Sequence, residues 1–259
     1  MPARVGIHVP WPRLDRYRDV ILEKGFHPEF FIPAESLDSF DNQLAATMAA
    51  DLAAADLRCT VHAVFMDLNP GSIDPRIREV SRQRMEQTLR AAGLLRADIV
   101  VVHPGYHRIM HGSIRQQWVD NSVSFWQGLL PQATDAGCRV ALENIFEEDP
   151  ATLHAVLAAL STPSVGHCFD CGHFNMFGTV SWDIWFESLG TFLIECHLHD
   201  NHGHADEHLP VGAGLIDFPR LLPLIERTAP QAIWTLEAHS LVNAERSLEA
   251  ITRLRRDLV

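Results

Sequence analysis

Residues 195–218 read ECHLHDNHGHADEHLPVGAGLIDF, a short apolar segment followed by a loop rich in imidazoles and carboxylates. His197 and His199 lie at the end of the apolar segment, and Asp206 and His208 lie in the loop. Neutral imidazole and carboxylate groups ligate Zn²⁺, Mn²⁺ and similar divalent cations, and such ligands gather on loops that a rigid scaffold holds in place. The stretch therefore predicts one wall of a metal site, to which other strands add the remaining walls.

Composition narrows the class of protein. The chain has 259 residues, 47% apolar and 21% charged, which suits one domain with a large core. A formal net charge of -12 disfavours a nucleic-acid partner. Five cysteines, without the density of a disulfide scaffold, indicate reduced thiols of a cytoplasmic protein. Because no apolar stretch has the length of a signal peptide or a membrane span, we expect no membrane partner.

The rest of the chain alternates strand-like and helix-like segments. Short apolar runs typical of strands buried on both faces cover residues 4–9, 29–32, 58–65, 97–103, 138–143, 164–170, 192–199 and 231–237. Amphipathic stretches predict helices over residues 37–57, 75–93, 114–136, 150–160, 217–227 and 243–258. This alternation, with no low-complexity linker, predicts a single α/β domain over residues 1–259, a (β/α)8 TIM barrel.

Candidate ligands cluster where the predicted strands end. They are His62, His103, Glu143, Asp170 with His173 just beyond it, His197 and Glu237. In a closed barrel the carboxyl ends of the strands converge on one face, where the loops form the active site. We therefore expect these side chains to meet in one hollow, here called the cup. Several carboxylates crowded there would repel one another without a cation, which favours a metal site over a set of structural polar residues.

Other polar residues fit structural roles better. Four further histidines are expected in loops or at helix ends: His8, His27, His107 and His111. Cys168 and Cys171 have the spacing of a zinc knuckle or redox pair, but a strand would direct their sulfurs to opposite faces. Glu195, at a strand start, is expected at the far face of the barrel. Asp200 either binds metal or orients an imidazole.

Seven motifs together resemble the xylose isomerase-like TIM-barrel superfamily, which includes endonuclease IV and many sugar isomerases and epimerases. The motifs are VHAVF, VVHPG, ALENIF, CFDCGH, HLHD, D-x-HLPVGAG and TLEAH, and they cover nearly the whole chain. They are specific at the level of the superfamily, but they do not separate its members.

The resemblance implies particular ligand sets. The core shared by ketose epimerases and endonuclease IV would be Glu143, Asp170, His197 and Glu237. The second and third metals of endonuclease IV would correspond to His62 and His103 with a bridging Glu143, and to His173, Asp206 and His208. One to three divalent cations, Zn²⁺ or Mn²⁺, are therefore implied. His199 stands where the family more often has Asn, and we expect it to line the substrate pocket.

Two chemistries suit such a centre. In isomerisation or epimerisation, Glu143 and Glu237 would shuttle a proton through an enediolate while His173 binds a sugar hydroxyl. In endonuclease IV-like hydrolysis of abasic DNA or a smaller phosphodiester, clustered cations would activate water. A non-catalytic barrel that binds a metal or ligand is a third alternative. The acidic charge and the lack of room for DNA-binding insertions favour the isomerase or epimerase.

Predicted βα loops supply candidate substrate contacts, of which Trp11 and Arg108 are the first choices. An arginine facing the cup would indicate a phosphate or carboxylate on the substrate, so the expected partner is a small sugar or sugar phosphate. A homo-oligomer is compatible with the sequence. The aromatic residues Trp182, Trp185 and Phe186 either serve such an interface or pack a helix against the barrel.

Overall fold

The computed structural model describes residues 4–257, and its strands close into a parallel barrel. The strands are β1 Val5–Pro10, β2 His27–Phe31, β3 Thr60–His62, β4 Ile99–Val102, β5 Arg139–Glu143, β6 Val165–Asp170, β7 Leu193–Leu198 and β8 Ile233–Leu236. Each strand pairs in parallel with its neighbours in sequence, and β1 closes the barrel against β8. The predicted single TIM barrel is confirmed.

Helices connect the strands on the outside. They are α1 Leu14–Lys24, α2 Ala34–Asp38, α3 Asn42–Ala54, α4 Pro75–Leu95, α5 Arg108–His111, α6 Arg115–Asp135, α7 Ala151–Leu160, α8 Cys171–Phe177, α9 Trp182–Leu189, α10 Phe218–Thr228 and α11 Leu241–Asp257. Short 3₁₀ turns cover Trp11–Arg13, Gly112–Ile114 and Gly190–Phe192. None of the helices between residues 4 and 257 combines the length and apolar character needed to cross a bilayer.

The predicted helix over residues 37–57 is in fact two helices, α2 and α3. Asp41 starts the second one, because its carboxylate accepts hydrogen bonds from the backbone N–H groups of Gln43 and Leu44 at 2.9 Å. The final predicted helix reached Leu258, which lies outside the described residues; α11 extends to Asp257.

The main core lies between the strands and the surrounding helices. Trp185 and Phe186 of α9 are buried there, and Phe186 packs on Phe169 of β6 with ring centroids 4.9 Å apart. These two aromatic residues therefore hold the helix against the barrel. A smaller apolar cluster fills the barrel interior: Ile99, Val101, Ala141, Cys168 and Ile233. All five cysteines are buried and free.

Candidate metal centre

Strand geometry directs a set of polar side chains into the cup. Side chains alternate between the two faces of a strand, so Glu195 and His197 of β7 both point into the barrel. Glu143 and Asp170 are the last residues of β5 and β6, and Glu237 follows β8 directly. The carboxyl ends of these strands therefore bring their last inward side chains together.

Four of these side chains converge on one position. Glu143, Asp170, His197 and Glu237 each offer one ligand atom, and the four atoms lie within 4.8 Å of one another. His197 Nδ1 lies 3.5 Å from Glu143 Oε1, 3.7 Å from Asp170 Oδ2 and 3.5 Å from Glu237 Oε2. All four residues are buried. We call this group the four-residue centre.

The four-residue centre is short of hydrogen-bond partners. Within residues 4–257, neither carboxylate oxygen of Glu143 has one, and the same is true of His197 Nδ1 and Glu237 Oε2. Buried polar atoms without partners are costly. A divalent cation at the point where these atoms converge would satisfy them together, so the residues present fit such a cation.

Glu143 also faces a second group of imidazoles. Its Oε2 lies 3.4 Å from both His62 Nε2 and His103 Nε2. His62 Nδ1 lies 2.9 Å from the carbonyl oxygen of Ala63, a contact that favours a proton on Nδ1 and leaves Nε2 with its lone pair. Burial lowers the pKa of His103 to about 3, which keeps its imidazole neutral. Glu143 thus stands between two ligand groups, with one oxygen toward each.

Asp206 joins the remaining two predicted ligands through different oxygens. Its Oδ2 lies 3.5 Å from His173 Nε2, and its Oδ1 lies 3.4 Å from His208 Nδ1. Although burial opposes the charge, the carboxylates of Asp170, Asp206 and Glu143 raise the pKa of His173 to about 12. Cation binding at these ligands would displace this proton.

His199 contacts the four-residue centre from its side. Its Nε2 lies 3.1 Å from Asp170 Oδ2, its ring stacks on His208 at 4.2 Å with an interplanar angle of 9°, and only 1% of its surface is exposed. His199, His208 and Glu237 each offer one ligand atom, and these three atoms lie within 4.8 Å of one another, so they form a further candidate cation group. His199 is therefore placed to orient Asp170 or to bind a cation; that it lines the substrate pocket stays a prediction.

Asp200 organises the loop that carries Asp206 and His208. Its carboxylate accepts four backbone N–H bonds, from Asn201, Gly212, Gly214 and Ile216, at 2.8 to 3.1 Å. Its own backbone forms a two-way bridge with Leu209, each N–H bonding the other's carbonyl at 2.9 Å. Asp200 is therefore neither a ligand nor an orienter of imidazole, the two roles considered from the sequence.

Two expected substrate contacts lie elsewhere. Trp11 is buried in the core, with its ring 5.3 Å from those of Phe30 and Phe40. Arg108 lies in an exposed position, where its Nε donates to Glu148 Oε1 at 2.7 Å. Neither side chain faces the cup. Throughout residues 4–257, the ion pairs of the cup's carboxylates are with histidines alone.

Known proteins share this architecture. The family described as the xylose isomerase-like TIM barrel matches residues 25–256. The chain belongs to this family. Its motifs had already indicated the same superfamily, and that interpretation is confirmed.

Both sequence relatives and solved structures resemble this chain. The uncharacterised protein MJ1311 of Methanocaldococcus jannaschii is 29% identical over 203 residues, 76% of this chain and 69% of that protein. A D-tagatose 3-epimerase-like protein superposes with a TM-score of 0.83 at 25% identity, covering 98% of this chain and 97% of that one. The TTHB071 protein from Thermus thermophilus, soaked with ZnCl₂, gives a TM-score of 0.79 at 23% identity over 98% of both chains. A D-psicose 3-epimerase shares the fold, with a TM-score of 0.77 at 14% identity over 97% of this chain and 98% of that one.

Sequence reasoning missed Glu29, which lies in the middle of β2 and is fully buried. An acidic residue within an otherwise apolar strand was the available indication. His8 was expected in a loop, yet it lies on β1 with its Nδ1 4.0 Å from Glu237 Oε1. Glu195 was expected at the far face; instead it is buried inside the barrel, where the hydroxyl of Thr235 donates to it at 2.7 Å.

Proposed function

We propose that this protein is a divalent-metal-dependent sugar epimerase or isomerase. The observation that carries the proposal is the convergence of two glutamates, Glu143 and Glu237, with Asp170 and His197 around one position. The likeness to a D-tagatose 3-epimerase-like protein over nearly the whole of both chains supports the same class of reaction. The cation would be Zn²⁺ or Mn²⁺.

The two glutamates are suited to proton transfer. When bound, the cation would supply Lewis-acid stabilisation of negative charge on adjacent substrate oxygens. Glu237 Oε2 points to His197, whereas its Oε1 lies on the side of His8, 4.0 Å from Nδ1, where it can take or return a proton. Although burial opposes ionisation, His197 holds the pKa of Glu143 well below its usual range in the metal-free protein, so its carboxylate is ionised and has lone pairs that can accept a proton.

His173 and an aromatic wall would orient the sugar. The imidazole of His173 is held between Glu143 and Asp206, and a substrate hydroxyl would replace Asp206 as the acceptor for its Nε2 proton. Phe65 stacks on the ring of His103 at 4.1 Å, and Phe31 lies 5.8 Å from Phe65. Apolar and aromatic surface beside a few fixed polar groups is typical of small-ligand sites.

The charges of the cup favour a neutral sugar over a sugar phosphate. In the described part of the chain, no Lys or Arg pairs with a carboxylate of the cup, and Arg108 is paired with Glu148 outside it. A phosphate group would add negative charge beside several carboxylates without an arginine to hold it. We therefore infer an uncharged aldose or ketose as the substrate.

Phosphodiester hydrolysis is the second candidate. It is supported by the position of Glu143 between the four-residue centre and the pair His62 and His103, because a carboxylate with one oxygen toward each group suits two neighbouring cations. Such a pair would stabilise both the attacking and the leaving oxygen of a phosphoryl group.

The test uses the full chain, stripped of metal and reloaded with Mn²⁺ or Zn²⁺. It is incubated in D₂O with a panel of neutral ketoses and aldoses. We expect metal-dependent conversion with solvent deuterium at the reacting carbon, lost in Glu143→Gln and retained in the exposed control Glu249→Gln. Metal-dependent nicking of abasic DNA or cleavage of bis(p-nitrophenyl) phosphate, without any sugar turnover, would instead establish hydrolysis.

A further inference from the structure

A buried polar layer lies inside the barrel directly below the four-residue centre. It consists of Glu29, Thr60, Glu195 and Thr235, none more than 4% exposed. The hydroxyl of Thr60 donates to Glu29 Oε2 at 3.1 Å, and that of Thr235 donates to Glu195 Oε1 at 2.7 Å. Polar groups at this depth are costly unless they serve a partner.

His197 connects this layer to the cup through its two ring nitrogens. Nδ1 faces Glu143, Asp170 and Glu237. Nε2 faces the opposite way and lies 3.3 Å from Oε1 and from Oε2 of Glu29. The ring is fully buried, so water does not compete for either nitrogen.

The chemistry of the two side chains settles which nitrogen carries a proton. An ionised carboxylate only accepts hydrogen bonds, so Nε2 must be the donor to Glu29. A neutral imidazole with its proton on Nε2 has its lone pair on Nδ1, which points at the position where the four ligand atoms converge. Hydrogen bonding to a carboxylate also makes the imidazole a stronger base toward a metal.

We propose that Glu29 is a positioning residue that fixes the tautomer and orientation of His197 for cation binding. Thr60 holds the Glu29 carboxylate from the strand next to β2, and Glu195 occupies the neighbouring position without a direct hydrogen bond to His197. This inference rests on the proposed cation at the four-residue centre.

Metal affinity of the stripped protein is the first readout. Zn²⁺ is titrated in competition with a chromophoric chelator for the wild type, Glu29→Gln and the matched buried variant Glu195→Gln. We expect Glu29→Gln to weaken Zn²⁺ binding by about 10- to 100-fold, the usual cost of removing a partner of a metal-binding histidine. Glu195→Gln keeps the bond from Thr235 and should weaken binding less. Equal losses in both variants, or none in Glu29→Gln, would overturn the assignment.

Imidazole NMR provides a readout that needs no variant to fold. In the Zn²⁺-loaded wild type labelled with ¹⁵N-histidine, we expect a downfield, slowly exchanging Nε2 proton on His197. In Glu29→Gln this resonance should move upfield. A rapidly exchanging His197 Nε2 proton in the wild type would refute the role of Glu29. A wild type that binds no Zn²⁺ would refute the proposed metal centre instead, so the two failures are distinguishable.

Discussion

Replacement of Asp200 by Asn should destabilise the protein while leaving the shape of the side chain nearly unchanged. The Asp200 carboxylate is fully buried, and each of its oxygens accepts two backbone N–H groups of the loop. An Asn side chain keeps one oxygen and turns an NH₂ group toward the other pair of N–H donors. Two backbone donors then lose their acceptor and face a donor.

The expected loss in the free energy of unfolding follows from the number of hydrogen bonds that the substitution removes. Hydrogen bonds to a charged group contribute about 1.5–3 kcal/mol each, so the loss of two gives an upper range of about 3–6 kcal/mol. Relaxation of the loop toward water reduces the penalty, so we expect a loss of about 3 kcal/mol in the free energy of unfolding. For a chain of this size that corresponds to a fall in Tm of about 6–12 °C, measurable by circular dichroism or calorimetry.

Asp41→Asn is the matched control, since Asp41 also accepts two backbone N–H bonds but caps a helix at the surface. Asn and Asp are equally good N-caps, so its Tm should change by less than about 2 °C. A fall in Tm for Asp200→Asn no larger than that of the control would refute the account of the loop.

Three further predictions concern the cup. Glu237→Gln should lower kcat by about 10²- to 10⁴-fold in a sugar turnover assay, as expected for loss of a general acid or base. Gly172→Ala would place a Cβ against His199 Cε1, and we expect it to lower the free energy of unfolding by about 1–3 kcal/mol in a denaturant titration. Gly128→Ala, where a Cβ meets nothing within 4 Å, should not destabilise the protein. Burial opposes the charge on His208, but neighbouring carboxylates raise its pKa from 6.5 to about 9. The stability that this ion pairing adds to the metal-free protein is therefore full below about pH 6.5, and it is lost as the pH rises through about 9. Comparison with His208→Asn by denaturant titration at several pH values checks this, and equal pH dependence of the two proteins would contradict it.

The barrel was predictable because alternating apolar runs and helices leave few other arrangements. All eight strands overlap the predicted segments, since parallel strands buried on both faces are continuously apolar. The cup followed from a rule of the fold, which places strand ends on one face. Neither conclusion needed the exact strand boundaries.

Register was the information that the sequence lacked. The second strand was expected to begin at Glu29, but β2 begins at His27, which puts Glu29 inside the strand and its carboxylate below His197. Which face of a strand is inward depends on pairing between strands, and a shift of one residue reverses it.

The contacts made by loop residues also could not be predicted before the fold was known. Asp200 acts through backbone N–H groups up to sixteen positions away, and no motif marks such partners. Trp11 follows a strand end, as a substrate contact would, but the neighbouring Phe30 and Phe40 enclose it. Residue type and spacing pointed to candidate ligands that the fold brings together, whereas packing decided where the surrounding residues lie.

The paired backbone hydrogen bonds between Asp200 and Leu209 close residues 200–209 into a ring that begins at the end of β7. His204 and Ala205, exposed at its tip, can therefore be exchanged without disturbing the anchoring bonds below, whereas Gly203 has a positive φ of 79° and His202 is bonded to Glu207. For protein engineers, the tip of this ring is a place to vary side chains while the backbone that carries Asp206 and His208 keeps its anchors.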